Sequence, residues 1–165
     1  MSDQENNAVP LTKAPVLYHT RVRPEWVDYN GHMSEAYYVL VFGHTTDAFL
    51  DLIGLDDIYR RRTDHSLYTL EAHISYLHEV GEDQALAIST QILGADAKRV
   101  RLFHTMKHAD EGQVLATAEL MLLHVDTSQA RAVPFAPEIQ TQLASVVQAH
   151  AELSCPMQAG RSIAL

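Results

Sequence analysis

The sequence predicts an α+β protein: a long central helix wrapped by a five-stranded antiparallel sheet, with a further helix near the C-terminus. Three observations predict it. One helical stretch, residues 34–53, is apolar around most of its circumference, so it needs a structure that wraps it. Four later stretches alternate apolar and polar residues with the period of a strand. The links between them are short and rich in Gly, Asp and Glu, which makes their neighbours antiparallel. One strand, a long helix and then four strands is the order of a helix laid on one face of a sheet.

Residues 1–14 read as a flexible leader bracketed by Pro10 and Pro15, and residues 15–165 as a single domain. Val16 to Val22 reads as a strand, with Val16, Tyr18, Thr20 and Val22 opposite His19 and Arg21, and Pro24 stops it. In the helix, Tyr37, Leu40, Val41, His44, Ala48 and Leu52 share one side. Val39, Phe42, Phe49 and Leu50 add apolar surface elsewhere. Ser34 suits the N-cap, Glu35 the positive helix end and Gly54 the stop. Tyr68 to Tyr76 alternates, with Tyr68, Leu70, Ala72, Ile74 and Tyr76 against Thr69, Glu71, His73 and Ser75. Strands follow near Leu86–Leu93, Arg99–Lys107 and Val114–Val125, then a helix from Pro137 to His150 and a tail.

Composition narrows the function classes. A chain of 165 residues can bury a core without staples. A formal charge of −9 argues against nucleic acid as the main partner and mildly favours a ligand with a cationic head. No apolar run reaches membrane-spanning length and the N-terminus lacks a secretory signal, so a cytoplasmic, non-membrane protein is expected. Cys155 is the only cysteine, which excludes an internal disulfide. The ten histidines show no ligand spacing; His104 and His108 are four apart but fall on a strand and its turn. Neither a metal nor another cofactor is expected.

The chemistry concentrates between the first strand and the long helix, in Trp26-Val27-Asp28-Tyr29-Asn30-Gly31-His32-Met33-Ser34-Glu35-Ala36-Tyr37-Tyr38. A carboxylate just before a helix either caps a turn or stands beside N–H groups that can hold an oxyanion. Here the surrounding residues decide. The stretch resembles the D-x-x-G-H-V-N-N-x-x-Y box of hotdog-fold thioesterases of the 4-hydroxybenzoyl-CoA type. Asp28, Gly31, His32, Met33 and Tyr38 match in register, whereas Ser34 and Glu35 replace the paired asparagines. The element order agrees over residues 16–126.

The resemblance implies an acyl-CoA thioesterase in which Asp28 serves as general base or nucleophile. Gly31 would permit the turn, and the backbone at Ser34 and Glu35 would polarise the thioester carbonyl. His32 stands between turn support and proton handling, and Glu71 between a solvated strand face and a role in a neighbouring subunit's pocket. Lys98, Arg99 and Arg101 are the candidates for the coenzyme A phosphates. The segments Val22–Met33, Ala116–Asp126 and Gly160–Ile163 are similar to the betainyl-CoA thioesterases of bacterial carnitine breakdown. For a trimethylammonium acyl group the candidate aromatic faces are Trp26, Tyr29 and Tyr37. Other readings are a thioesterase for another short or aromatic acyl-CoA, and a non-catalytic acyl-CoA sensor. One helix cannot cover a five-stranded sheet with its edges, so a homodimer or homotetramer is expected.

Overall fold

The computed structural model describes residues 13–165. Of the expected leader, residues 1–12 lie outside the described residues. Strand β1 (Val16–Arg21) leads through one turn of 3-10 helix, Pro24–Trp26, to α1 (Glu35–Leu52). Then come α2 (Asp57–Thr63), β2 (His65–Tyr76), β3 (Ala85–Ala95), β4 (Arg99–His108), β5 (Val114–Asp126), the two-residue β6 (Arg131–Ala132) and α3 (Pro137–His150). The sheet is antiparallel in the order β1-β3-β4-β5-β2, with β6 paired to the end of β5. This is the hotdog arrangement. No single helix among the described residues is long and apolar enough to cross a membrane.

Three short elements escaped the sequence reading: the 3-10 turn, α2 and β6. Helix α2 is capped by Asp56, whose Oδ1 accepts the N–H of Tyr59 at 2.8 Å. It ends in a left-handed residue, Asp64. β6 adds a sixth strand too short to carry a periodic pattern.

The buried stripe of α1 differs from the one expected. Tyr38, Val41, Phe42, Thr45, Thr46, Phe49 and Leu50 are buried, whereas Val39 and Leu40 stay exposed. The reason lies in the two threonines. Their hydroxyls donate to the carbonyls of Val41 and Phe42 one turn back, at 2.9 and 3.0 Å, so they enter the core without an unsatisfied group. His104, reaching down from β4, bonds Thr46 through Nε2 and Thr90 of β3 through Nδ1, both at 2.9 Å. This fully buried ring stacks on Phe42 and ties α1 to the sheet.

Strand β2 is an edge, and its alternation breaks. Thr69 pairs with Leu122 and Glu71 with Met121, so Leu70 is the extra residue of a bulge. Leu67 and Thr69 therefore join Ala72 and Ile74 on the side facing α1, where a cavity of about 480 Å³ is also lined by Val39 and Leu40. Tyr68 and Leu70 are exposed. On the other sheet face the C-terminal tail lies across β3 to β5. The Gln91 side chain donates to the Ser154 carbonyl, and the Gly160 N–H donates to Glu119 Oε2 at 2.6 Å. Phe103, between Gln91 and Glu119 in the register, is buried there.

Candidate active site

Asp28 sits in a loop closed by a bridge between Val27 and Met33. Its N–H donates to the His32 carbonyl, its carbonyl accepts from Gly31, and its Oδ1 accepts from the N–H of Asn30 at 2.8 Å. The result is an Asx turn, and Gly31 at φ +81° supplies the left-handed residue that closes it. Two further bonds fix the loop: Met33 N–H to the Val80 carbonyl at 2.8 Å, and Ser34 N–H to the Trp26 carbonyl at 2.9 Å. Among the described residues no hydrogen bond reaches Asp28 Oδ2. One carboxylate oxygen thus orients the group and the other is open.

Seven residues later α1 begins. Ser34 has the extended backbone of an N-cap, but its side chain makes no bond to the first turn. The N–H groups at Glu35 and Ala36 are therefore left without a side-chain cap. They carry the positive end of the helix dipole, a fit for a carbonyl that gains negative charge. His32, half-exposed, places Nε2 4.0 Å from Glu79.

The structure gathers Asp28, Gly31, His32, Ser34 and Glu35 on this one loop and helix end, with Trp26, Tyr29 and Tyr37 on the same segment, and places Glu71, Lys98, Arg99 and Arg101 elsewhere. Trp26 is 4 % exposed and stacks on Tyr37, with the Arg23 guanidinium 5.2 Å from its ring centre. An indole so covered offers no open face to a second cation, so its cage role gives way to packing. Tyr29 is exposed on the turn.

Glu71 lies on the sheet face away from α1. It lines a recess of about 230 Å³ with His73, Arg101, Glu119 and Arg161. Arg101 donates from Nε to Glu119 at 2.6 Å, and Arg99 donates from Nε to Asp96 at 2.8 Å. Lys98 and Arg99 stand at the β3–β4 hairpin, the far end of the sheet from the Asp28 loop. Along β3 that is on the order of 30 Å. Within one chain neither Glu71 nor the basic cluster meets Asp28.

Sequence reasoning missed the aromatic and acidic residues that do adjoin α1: Tyr76 and Glu79, with Tyr38 turned toward them. Tyr38 and Tyr76 are each regular members of their own elements, and no local pattern signals that they converge.

A wrapped helix, an antiparallel sheet and an aspartate turn at the helix N-terminus define a hotdog thioesterase. The family profile of the thioesterase-like superfamily matches residues 22–143; the chain belongs to that family and is an acyl-CoA thioesterase. It is 45 % identical over 155 residues to the betainyl-CoA thioesterase of Pseudomonas aeruginosa, covering 94 % of this chain and 98 % of that one. It is 44 % identical over 147 residues to the L-carnitine dehydrogenase/betainyl-CoA thioesterase of Rhizobium meliloti, covering 89 % of this chain and 29 % of that one. A Staphylococcus aureus protein solved in complex with CoA superposes with a TM-score of 0.85 at 28 % identity, covering 92 % of this chain and 96 % of that one.

Proposed function

We propose that this chain hydrolyses betainyl-CoA to glycine betaine and coenzyme A, within carnitine catabolism. The observation that carries the chemistry is the half-free Asp28 carboxylate on the loop that leads directly into the uncapped first turn of α1. The substrate assignment is supported by the near full-length similarity to the Pseudomonas aeruginosa enzyme.

In this reading the thioester oxygen points at the N–H groups of the first turn of α1. Asp28, acting as general base, takes a proton from water while the water oxygen bonds to the carbonyl carbon. The tetrahedral oxyanion collapses, the C–S bond breaks, and the departing thiolate of coenzyme A takes the proton held by Asp28, which restores the base. The Asn30 bond to Oδ1 leaves Oδ2 to face the water. If Asp28 instead attacks directly as nucleophile, the C–S bond breaks, coenzyme A leaves as an anhydride forms, and water then cleaves the anhydride at the Asp28 carbonyl. A single turnover in H₂¹⁸O separates the two, because only the nucleophilic route puts the label into Asp28.

The same reading takes a homodimer joined through β2, whose outer edge is unpaired and bears exposed Tyr68 and Leu70. An antiparallel β2–β2 junction sets the basic β3–β4 end of one sheet on the same side as the Asp28 end of the other. Lys98, Arg99 and Arg101 of one protomer then stand toward the coenzyme A phosphates bound at its partner's loop.

The test is steady-state hydrolysis of betainyl-CoA, benzoyl-CoA and a fatty acyl-CoA series. The highest kcat/KM is expected with betainyl-CoA. A higher value with any uncharged acyl group defeats the assignment.

A further inference from the structure

We infer that the recess between Tyr38, Tyr76, Glu35 and Glu79 at the N-terminal end of α1 is the subsite that holds a quaternary ammonium on the acyl group. The inference rests on the proposed betainyl-CoA reading and adds where in the site the cation is held.

A trimethylammonium donates no hydrogen bond. Its recognition therefore needs aromatic faces and unpaired negative charge, not a ring of acceptors. The recess, about 270 Å³, supplies both. Its aromatic face is that of Tyr76; the buried Tyr38 packs edge-to-face against that ring and fixes it, with ring centres 5.3 Å apart and planes at 88°. Each hydroxyl is directed to a backbone carbonyl, that of Tyr38 to His78 and that of Tyr76 to Glu35. The hydroxyls are thus turned to the backbone, while the Tyr76 ring remains about half exposed.

The charge comes from Glu35 and Glu79. Among the described residues Glu35 makes no ion pair, and Glu79 faces only His32 at 4.0 Å, so no lysine or arginine neutralises the recess. The field is felt by the phenols. Burial first, and then the Glu79 carboxylate, push the Tyr38 hydroxyl up to about 12. Burial and then Glu35 raise that of Tyr76.

Position makes the assignment specific. In a betainyl thioester the ammonium nitrogen is two bonds from the reacting carbonyl carbon. Its subsite must therefore touch the groups that polarise that carbonyl. Glu35 is the first residue of α1 and also lines the recess, which meets this condition. Met33, in the closing bridge of the Asp28 loop, forms part of the same lining.

The test compares kcat/KM for betainyl-CoA with that for 3,3-dimethylbutanoyl-CoA, in which carbon replaces the charged nitrogen at the same shape. The ratio is measured for the wild type and for Glu79→Gln, Glu79→Lys and Tyr76→Leu. Glu79 is largely exposed, so its variants keep the test valid even where Tyr76→Leu folds poorly. The ratio is expected to fall about fivefold in Glu79→Gln, further in Glu79→Lys, and about tenfold in Tyr76→Leu. A wild-type ratio well above one that none of the Glu79 variants moves rejects this subsite and leaves the betainyl-CoA reading standing. A wild-type ratio at or below one rejects both.

Discussion

Trp26 lies nearly parallel on Tyr37, with ring centres 5.6 Å apart and planes 18° apart. The pair joins the 3-10 turn before the Asp28 loop to the first turn of α1, so the two halves of the site share one rigid support. Deleting the indole should cost stability and not selectivity. Trp26→Ala is expected to destabilise the fold by about 3–4 kcal/mol, as for a large aromatic removed from a core. That lowers the melting temperature by roughly 6–16 °C in a chain of this size. Calorimetry gives the shift, and activity on charged and neutral acyl-CoAs should decline in parallel.

Asp28→Asn should leave the loop intact, because the amide oxygen of the new side chain can still accept from the N–H of Asn30. What it lacks is a basic oxygen at the position of Oδ2. Kcat is expected to drop on the order of a hundredfold or more, with an unchanged melting curve. A fully active, folded variant would return Asp28 to the role of a turn residue.

His104 makes stability depend on pH. Burial lowers its pKa to about 3, so the folded protein keeps the ring neutral while the unfolded chain titrates near 6.5. The folded-state value is depressed, so the stabilisation is fully present above pH 6.5 and is lost as pH falls toward 3. In that window the unfolded chain binds the extra proton. The slope is about 1.4 kcal/mol per pH unit, or about 2 kcal/mol between pH 6.5 and 5. His124, also lowered by burial, acts in the same direction. Urea denaturation at the two pH values measures the loss, and a folded His104→Gln variant should show a shallower dependence.

Glu119 holds two groups at once, the Arg101 guanidinium and the N–H of Gly160, each at 2.6 Å. Glu119→Ala should strand a half-buried arginine and release the tail from the back of the sheet. A loss of about 2–3 kcal/mol is expected. Limited proteolysis should then cut within residues 151–165 faster than in the wild type, while cleavage elsewhere stays slow. Equal cleavage rates would mean the tail is held by other contacts.

Sedimentation at micromolar concentration should report a dimer, since the open β2 edge and its exposed Tyr68 and Leu70 need cover. A fully active monomer would show that the basic hairpin of a second copy is not needed for coenzyme A.

The order of elements, the extent of α1 and the turn at Asp28-x-x-Gly31 could all be read in the sequence, because each is set by neighbours close along the chain. Periodicity, a cap position and a glycine at positive φ are local demands. Which face those elements bury was decided only in three dimensions. Thr45 and Thr46 carry hydroxyls, yet they enter the core because their own helix accepts those hydroxyls and His104, 58 residues from Thr46, meets one of them. One bulge at Leu70 sets Leu67 and Thr69 in phase with Ala72 and Ile74, while Glu71 belongs to the sheet face away from α1. Tyr38 and Tyr76 meet beside Glu79 only because the end of β2 passes the start of α1. A period reports how residues repeat along an element. The partner that a face meets is set by the whole fold, whose hydrogen bonds and close packing have to be satisfied together.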